Sequence, residues 1–434
     1  MAVTGRRSVL ADRANRGAAL ATALLFVANG AVFGAIVPRL PDLKDALDLG
    51  AAAFGLAMAC YPAGALVGGL FSPLLMRRRS DGAVAVAMMV GASVAAMLVG
   101  LSPTVWVFAA ILVAFGLCDA ITDVAMNAHG IRVQTRHGSS LLNRFHALWS
   151  LGAVLGAAGG SVAAGLGGSV VAQMTVAGLL CAALALAALP LRLPAGVAET
   201  PDGRDLDREL DPGLDPHAAS RTGTAPRTDT VRRHVPGARA MLLLVALGLL
   251  ACSAELVEDF AQTWSAVYLR DVALLGAGLA GSGFVAVQGA QLLGRVAGDA
   301  LVDRFGHVRV GRAGGLFVVA GAGAALVAPF VLDGPALFAV LLAGFVAAGW
   351  GIATVIPGAM LGADSVPGLV PGAGLAVLNW VMRVGFLVSP PLVGLIAEHA
   401  GMRWTVAPMV VGGALIVVLA GPLLGRNARG RVAA

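Results

Sequence analysis

Two aspartates and an asparagine stand four residues apart in an otherwise apolar stretch, at Asp119, Asp123 and Asn127. A helix carries all three on one face. An ionised carboxylate at membrane depth costs about 2.5–3.5 kcal/mol even on lenient insertion scales, so such residues persist where they face a cavity, a partner or a conducted ion. Two carboxyls one turn apart in a closed apolar site can hold a proton that entering water releases. We assign proton coupling to Asp119 and Asp123.

His146 opens the next predicted helix, beyond a basic turn that contains Arg132, Arg136 and Arg144. We include His146 with the two aspartates as a proton-coupling residue. A structural alternative is that Asp123 and Asn127, which lie close to the basic turn, only tie helix ends together at a membrane surface.

The elements that must position these residues are membrane-spanning helices. Of the 434 residues, 58% are apolar and 12% are charged, and the mean hydropathy is +0.85. Soluble domains have roughly 45–50% apolar and about 25% charged residues. The net charge of +6 comes from arginines in short loops without interleaved aromatic residues, which argues against nucleic-acid binding. The four cysteines lie in apolar runs without metal-ligand spacing, so we expect no metal site.

Motifs typical of soluble enzymes are missing or out of context. The sequence GAGLAG at Gly276–Gly281 formally matches a dinucleotide loop, but no βαβ pattern surrounds it. Neither an HExxH helix nor a GxSxG elbow is present. We therefore expect that the protein is not an enzyme and needs no cofactor, and that a proton gradient supplies the energy.

Apolar runs of about 20 residues predict about twelve transmembrane helices. Arginine-rich loops alternate with neutral or acidic loops and share the side of the N-terminus, so we expect a multi-pass plasma-membrane protein with both termini in the cytosol. The predicted spans are 18–38, 51–75, 82–101, 104–128, 145–166, 169–190, 240–264, 277–301, 311–331, 335–360, 371–396 and 403–424.

The composition divides the chain into two halves. Residues 192–239 are rich in Pro, Asp, Arg, Thr and Gly and predict a flexible cytosolic linker. A shift of 226 positions aligns Gly50, Gly55 and Gly68 with Gly276, Gly281 and Gly294. We therefore expect two pseudo-symmetric six-helix bundles, residues 1–191 and 240–434, an arrangement that recurs among secondary transporters.

The remaining intramembrane polar residues indicate a central cavity. Spans 3, 9 and 12 are almost purely aliphatic and span 6 adds only two polar residues, so every third helix is expected to face lipid. Arg383 needs an anionic partner at its depth, for which we favour Glu255, with an anionic solute as the alternative. The residues assigned to solute binding are Asn29, Asn127, Glu255, Gln262, Trp264, Asn379 and Arg383.

Four stretches together resemble the major facilitator superfamily: DVAMNAHG at Asp123–Gly130, FHALWSLG at Phe145–Gly152, WSAVYL at Trp264–Leu269 and GRVAGDALVDRFG at Gly294–Gly306. Within it the chain is most similar to the fucose-permease-related branch, which includes YbjJ-like bacterial inner-membrane proteins. The resemblance covers everything except the linker. It implies an all-α fold of twelve helices in two bundles, alternating access around a central site, and usually coupling to protons.

The resemblance also implies a cytosolic gate in the loops after spans 2 and 8. In the second half Arg295, Asp299, Asp303 and Arg304 are expected to form the charge-assisted bonds that close it. In the first half Pro73 and Arg77 occupy the neighbourhood in which an acid is expected.

Three functions are compatible with these observations. The first is a proton-coupled secondary carrier of a small polar solute, active as a monomer in the lipid bilayer. The second is an exporter of a drug or secondary metabolite by proton antiport. The third is a membrane receptor or scaffold without transport, which the buried charges of spans 4, 7 and 11 argue against.

Overall fold

The computed structural model describes residues 2–137, 141–193, 238–366, 369 and 373–424. Within these ranges the chain forms helices and no strand, as the sequence predicts. The predicted linker at 192–239 lies outside the described residues except for two residues at each end.

Eleven helices in the described ranges are long and apolar enough to cross a membrane. The first six, called spans 1 to 6, are Asn15–Ala46, Ala51–Arg78, Asp81–Val99, Val105–His137, Leu142–Gly165 and Val170–Leu191. The other five are Ala240–Val272 (span 7), Ala277–Phe330, Gly334–Asp364 (span 10), Ala373–Ala400 (span 11) and Met402–Leu424 (span 12).

The Ala277–Phe330 helix contains two spans. Its 54 residues would extend about 80 Å as one straight helix, more than twice the ~30 Å hydrocarbon core. Gly306 breaks it with φ 80° and ψ 153°, a conformation that glycine adopts without strain. The segments before and after Gly306 are spans 8 and 9, so the predicted twelve spans are confirmed.

Equivalent glycines support the predicted pseudo-symmetry of the two bundles. Gly50 precedes span 2 with φ −61° and ψ 163°, and Gly276 precedes span 8 with φ −61° and ψ 156°. Gly68 packs on Leu117 of span 4, and Gly294 packs on Trp350 of span 10. The aligned glycines therefore occupy corresponding positions at the start and in the interior of spans 2 and 8.

Glycines also set the close packing of span 1 on span 5. A Cβ added at Gly152 or Gly156 of span 5 would collide with the backbone carbonyl of Val27 or Ala31 in span 1. Small residues at helical spacing permit such backbone approach, which stabilises helix pairs in membranes through van der Waals contact. This packing also brings Trp149 of span 5 within hydrogen-bond distance of Asn29 of span 1.

Gly156→Val is expected to lower the stability of the first bundle by about 1–3 kcal/mol, the usual cost of overpacking. The valine Cβ would meet the Ala31 carbonyl, which is backbone and cannot rotate away. Thermal unfolding of the purified protein in detergent measures the change. Gly159→Val is the matched control, since nothing lies within 4 Å of a Cβ at Gly159. Equal effects of both substitutions would contradict the packing argument.

The two bundles meet mainly at one end. We call the end that contains Arg77–Arg79 the terminal face, and the opposite end, with Arg39–Leu49 and Asp271–Gly276, the far face. Near the far face, span 2 contacts span 11, where Gly55 packs on Pro390. Span 5 likewise contacts span 8, where a Cβ at Gly165 would lie 3.2 Å from the Gly278 Cα.

Candidate functional site

A cavity of about 400 Å³ lies between the two bundles. None of its lining residues in the described ranges comes from spans 3, 6, 9 or 12, in agreement with the predicted period of three. The lining residues are Phe33, Tyr61, Pro62, Ala65, Asp119, Asp123, Trp149, Glu255, Glu258, Gln262, Asn379, Met382, Arg383 and Phe386.

Asp119 is the centre of a hydrogen-bond network that joins four spans. Its Oδ1 accepts from Asn29 Nδ2 at 2.6 Å, and its Oδ2 lies 2.7 Å from the Tyr61 hydroxyl. Trp149 Nε1 donates to Asn29 Oδ1 at 2.7 Å. Because the indole N–H is only a donor, it fixes the Asn29 amide with Nδ2 toward Asp119. The network therefore links spans 1, 2, 4 and 5 at the cavity wall.

Asp123 lies one turn from Asp119 and is exposed to the cavity. Asn127 Nδ2 donates to Asp123 Oδ1 at 2.9 Å, so Asn127 stands behind the carboxylate and not in the cavity lining. The guanidinium of Arg383, from span 11, interacts electrostatically with Asp123 and packs on Gly69 of span 2. Asp123 and Arg383 thus oppose each other across the two bundles.

The partner predicted for Arg383 is therefore wrong in this conformation. Glu255 interacts with Arg295 of span 8 instead of with Arg383. The reason is geometric, because Arg383 points across the cavity toward the first bundle. Sequence position places Glu255 and Arg383 in one half but does not fix the rotation of span 11.

Span 7 contributes a second set of polar residues to the cavity. Glu258 accepts from Gln291 Nε2 at 3.0 Å and from Gln262 Nε2 at 3.5 Å. The helix changes to a π-helix at Phe260–Trp264, a feature that frequently occurs at functional sites. Glu255, Glu258 and Gln262 follow one another at intervals of three and four residues, and all three face the cavity together with Asn379.

Trp264 and His146 do not take the predicted places. Trp264 is fully buried and packs edge-on against Phe54 at 5.3 Å between ring centroids, because the π-helical segment turns it into the packed interior. His146 packs edge-on against Phe26 at 5.2 Å and is absent from the cavity lining, like Asn29, which lies behind Asp119. The cavity indole is that of Trp149, three residues after His146 in the FHALWSLG motif.

The predicted gate bonds are not formed in this conformation. Among the described residues, Arg295, Asp299, Asp303 and Arg304 make no ion pair within 4.0 Å of one another, and the last three are exposed. Arg304 lies over the Phe305 ring at 5.2 Å, and Arg295 is directed toward Glu255 and His146. The contacts between the bundles described above lie near the far face, and exposed charged side chains gain little from pairing with one another.

Ion pairs at the far face connect the bundles. Arg270 of span 7 binds Asp45 at 2.9 Å between Nη2 and Oδ1, and its Nη1 lies 3.7 Å from Asp42. Arg39 binds Asp42 at 2.9 Å and donates to the carbonyl of Gly168 at 2.6 Å. None of these residues was predicted to belong to a gate; Arg39, Asp42 and Asp45 lie together at the end of span 1, and Arg270 lies near the end of span 7.

Arg270→Gln is expected to open the far face, because it removes the cation that bridges span 7 to the end of span 1. Exposed ion pairs contribute about 0.2–1 kcal/mol each, so we expect a several-fold gain in labelling of a cysteine introduced at Phe386 from the far side. Lys44→Gln is the matched control, since Lys44 makes no ion pair among the described residues. Unchanged labelling in Arg270→Gln would contradict the gate.

The family model described as Major Facilitator Superfamily matches residues 22–368 of the chain, which is most of its length. The chain belongs to the Major Facilitator Superfamily. An uncharacterised transporter named y4wD from Sinorhizobium fredii is 32% identical over 412 residues, covering 91% of this chain and 95% of that protein. An uncharacterised MFS-type transporter from Yersinia pestis is 26% identical over 385 residues, covering 88% and 90%.

Solved structures of the superfamily share the fold. The crystal structure of the nucleoside transporter NupG superposes with a TM-score of 0.66 at 13% identity, over 94% of this chain and 98% of that one. Superfamily membership and the spans identify a multi-pass membrane protein of secondary transport, and its named relatives are transporters, not enzymes. The residues around Asp119 are thus in the central cavity of a superfamily fold.

Proposed function

We propose that this protein is a proton-coupled carrier that moves a small polar solute across the plasma membrane by alternating access. The observation that supports this best is the network of Asn29, Asp119, Tyr61 and Trp149, in which one carboxyl group joins four spans at the cavity wall. Such a group can respond to both protonation and solute binding. A change in its hydrogen bonds alters contacts of spans 1, 2, 4 and 5, which line the first half of the cavity.

The proton is expected to reside on Oδ2 of Asp119. Trp149 and Asn29 together fix Oδ1 as an acceptor, so Oδ2 is the oxygen free to carry hydrogen. When it is protonated, the Oδ2–H donates to the Tyr61 oxygen; when the proton leaves, the Tyr61 hydroxyl donates to Oδ2 across the same 2.7 Å. Asp123 and His146 assist as secondary proton sites next to the cavity.

The membrane orientation follows from charge. The arginine-rich loops and the predicted termini share the terminal face, so we place that face in the cytosol and the open cavity toward it. The protein is expected to work as a monomer. The DVAMNAHG and FHALWSLG stretches favour the fucose-permease-related branch and therefore a polar, hydroxyl-bearing solute. Gln262 and Asn379 supply neutral hydrogen-bonding groups for it.

Proteoliposomes with an imposed pH gradient test the proposal. A mixed pool of polar metabolites is offered outside, and the trapped solutes are identified after the gradient acts. One solute or more is expected to accumulate, and a protonophore is expected to abolish the accumulation. Loss of preloaded solute against its gradient would instead support the alternative, export by proton antiport. A gradient-independent distribution of every solute would contradict proton coupling.

A further inference from the structure

The cavity lining has more acids than bases. Four carboxylates, those of Asp119, Asp123, Glu255 and Glu258, face it, whereas Arg383 is the one lining residue with a permanent positive charge in the described part of the chain. A further carboxylate, that of Asp259, is 1% exposed directly behind the wall and adjoins a small apolar extension of the cavity.

Not all of these acids need a ligand. Asp119 accepts neutral donors and, on the proposed function, carries the coupled proton. Asp123 is opposed by the Arg383 guanidinium. These two acids are therefore compensated without a solute, one by a proton and one by the only lining guanidinium in the described ranges.

Glu258 and Glu255 remain without matching positive charge from the described lining. Glu258 is held by two amide groups, those of Gln262 and Gln291, which donate hydrogen bonds but carry no charge. Glu255 has no hydrogen bond among the described residues, and its single cationic neighbour there, Arg295, also faces His146. The two carboxylates lie three residues apart on span 7 and share one side of the cavity.

Aromatic rings line the opposite side. Tyr61 packs on Phe33 at 5.6 Å between ring centroids, and Trp149 adds a third aromatic ring from the first bundle. A cation between carboxylates and aromatic faces is stabilised by both, because the ring face carries partial negative charge. The same arrangement repels an anion, since no cation of the described lining is left to receive one.

We propose that the solute carries a protonated amine, held between Glu255 and Glu258, with its hydroxyl groups toward Gln262 and Asn379. This inference rests on the proposed function, because it uses the same cavity and leaves one proton on Asp119. The volume of about 400 Å³ fits a solute of the size of one amino sugar. The amine proposal differs from the sequence-based alternative in which an anionic solute pairs with Arg383, because Arg383 is opposed by Asp123.

The test compares solutes of similar size and skeleton that carry a positive charge, no charge or a negative charge. Glucosamine, glucose and glucuronate share one skeleton, and serinol, glycerol and glycerate share another. Thermal unfolding of the purified full chain in nanodiscs without a pH gradient is expected to shift upward with the amine of either series, less with the neutral member and not with the acid. Glu258→Gln and Glu255→Gln are expected to weaken amine binding by about tenfold each, the equivalent of one charge-assisted hydrogen bond.

Asp333→Asn is the control for loss of an acid, because Asp333 is exposed before span 10 and caps nothing with its side chain. Equal or stronger binding of the acids, or no shift with either amine, would overturn the amine proposal. Accumulation of neutral or acidic solutes under a pH gradient would also overturn it while leaving the proposed function intact. Amines that bind but do not accumulate would contradict proton coupling and leave the amine site standing.

Discussion

Asp119→Asn is expected to abolish accumulation driven by a pH gradient while leaving exchange between equal solute pools intact. Asparagine has the shape of a protonated aspartate, and its amide can donate to Tyr61 while its oxygen accepts from Asn29. The network and the fold are therefore kept, but the proton can no longer leave. With one proton per solute, a gradient of one pH unit supports at most about tenfold accumulation, since each unit is worth ~1.4 kcal/mol. The variant is expected to show no accumulation above the outside concentration.

Three further variants make the assignment specific. Asp123→Asn is expected to show a weaker form of the same defect, because Asp123 is opposed by Arg383 and open to the cavity. Tyr61→Phe removes the partner of Oδ2 and is expected to slow exchange as well. Asp333→Asn, far from the cavity, is expected to accumulate like the unmodified protein. Full accumulation in Asp119→Asn would return Asp119 to a structural role.

The sequence was sufficient to locate Asp119 because membranes make polar residues conspicuous. A carboxylate in a 20-residue apolar run has few structural explanations, and helical periodicity then fixes which neighbours share its face. The number of spans and the pseudo-symmetry were predictable for a similar reason, because long apolar runs and glycines at equivalent positions are visible in the sequence. Gly50 and Gly276, aligned by a shift of 226 positions, have nearly the same φ and ψ.

What could not be predicted depends on contacts between helices distant in the chain. Trp149 is one indole among six, and only the close packing of span 5 on span 1 brings it to Asn29. Trp264 was misplaced because a π-helical turn alters the rotation of span 7 after Phe260, and no sequence period reports such a turn. The basic turn was placed too early as well, since span 4 continues as helix to His137.

The gate shows a third limit, the choice of conformation. A sequence encodes the contacts of every state of a carrier, whereas one structure contains the contacts of one state. The far-face pairs of Arg270 exist here. The pairs expected for Asp299 and Asp303 stay a prediction for a state in which the terminal face is closed. The acids at the end of span 1, Asp42 and Asp45, are explained by their ion pairs with Arg39 and Arg270.

Arg383→Gln is expected to impair transport by about tenfold or more, and the double variant Asp123→Asn/Arg383→Gln to recover much of that loss. Arg383→Gln leaves Asp123 without the one cation of the described lining that opposes it, and an uncompensated charge is costlier than no charge at all. Because Asp123 is open to the cavity, water screens part of the interaction. We therefore expect a coupling free energy of about 1 kcal/mol, toward the lower end of values for contacting pairs.

A second cycle with Glu255→Gln and Arg383→Gln separates the two candidate partners. Glu255 interacts with Arg295. The changes in unfolding free energy caused by Glu255→Gln and Arg383→Gln are therefore expected to be additive within about 0.5 kcal/mol. Thermal unfolding of both single and double variants gives the two coupling energies, and counterflow gives the transport rates. A larger coupling free energy between Glu255 and Arg383 than between Asp123 and Arg383 would contradict this expectation. It would support the pairing within the second bundle, with Arg383 away from span 4 during the transport cycle.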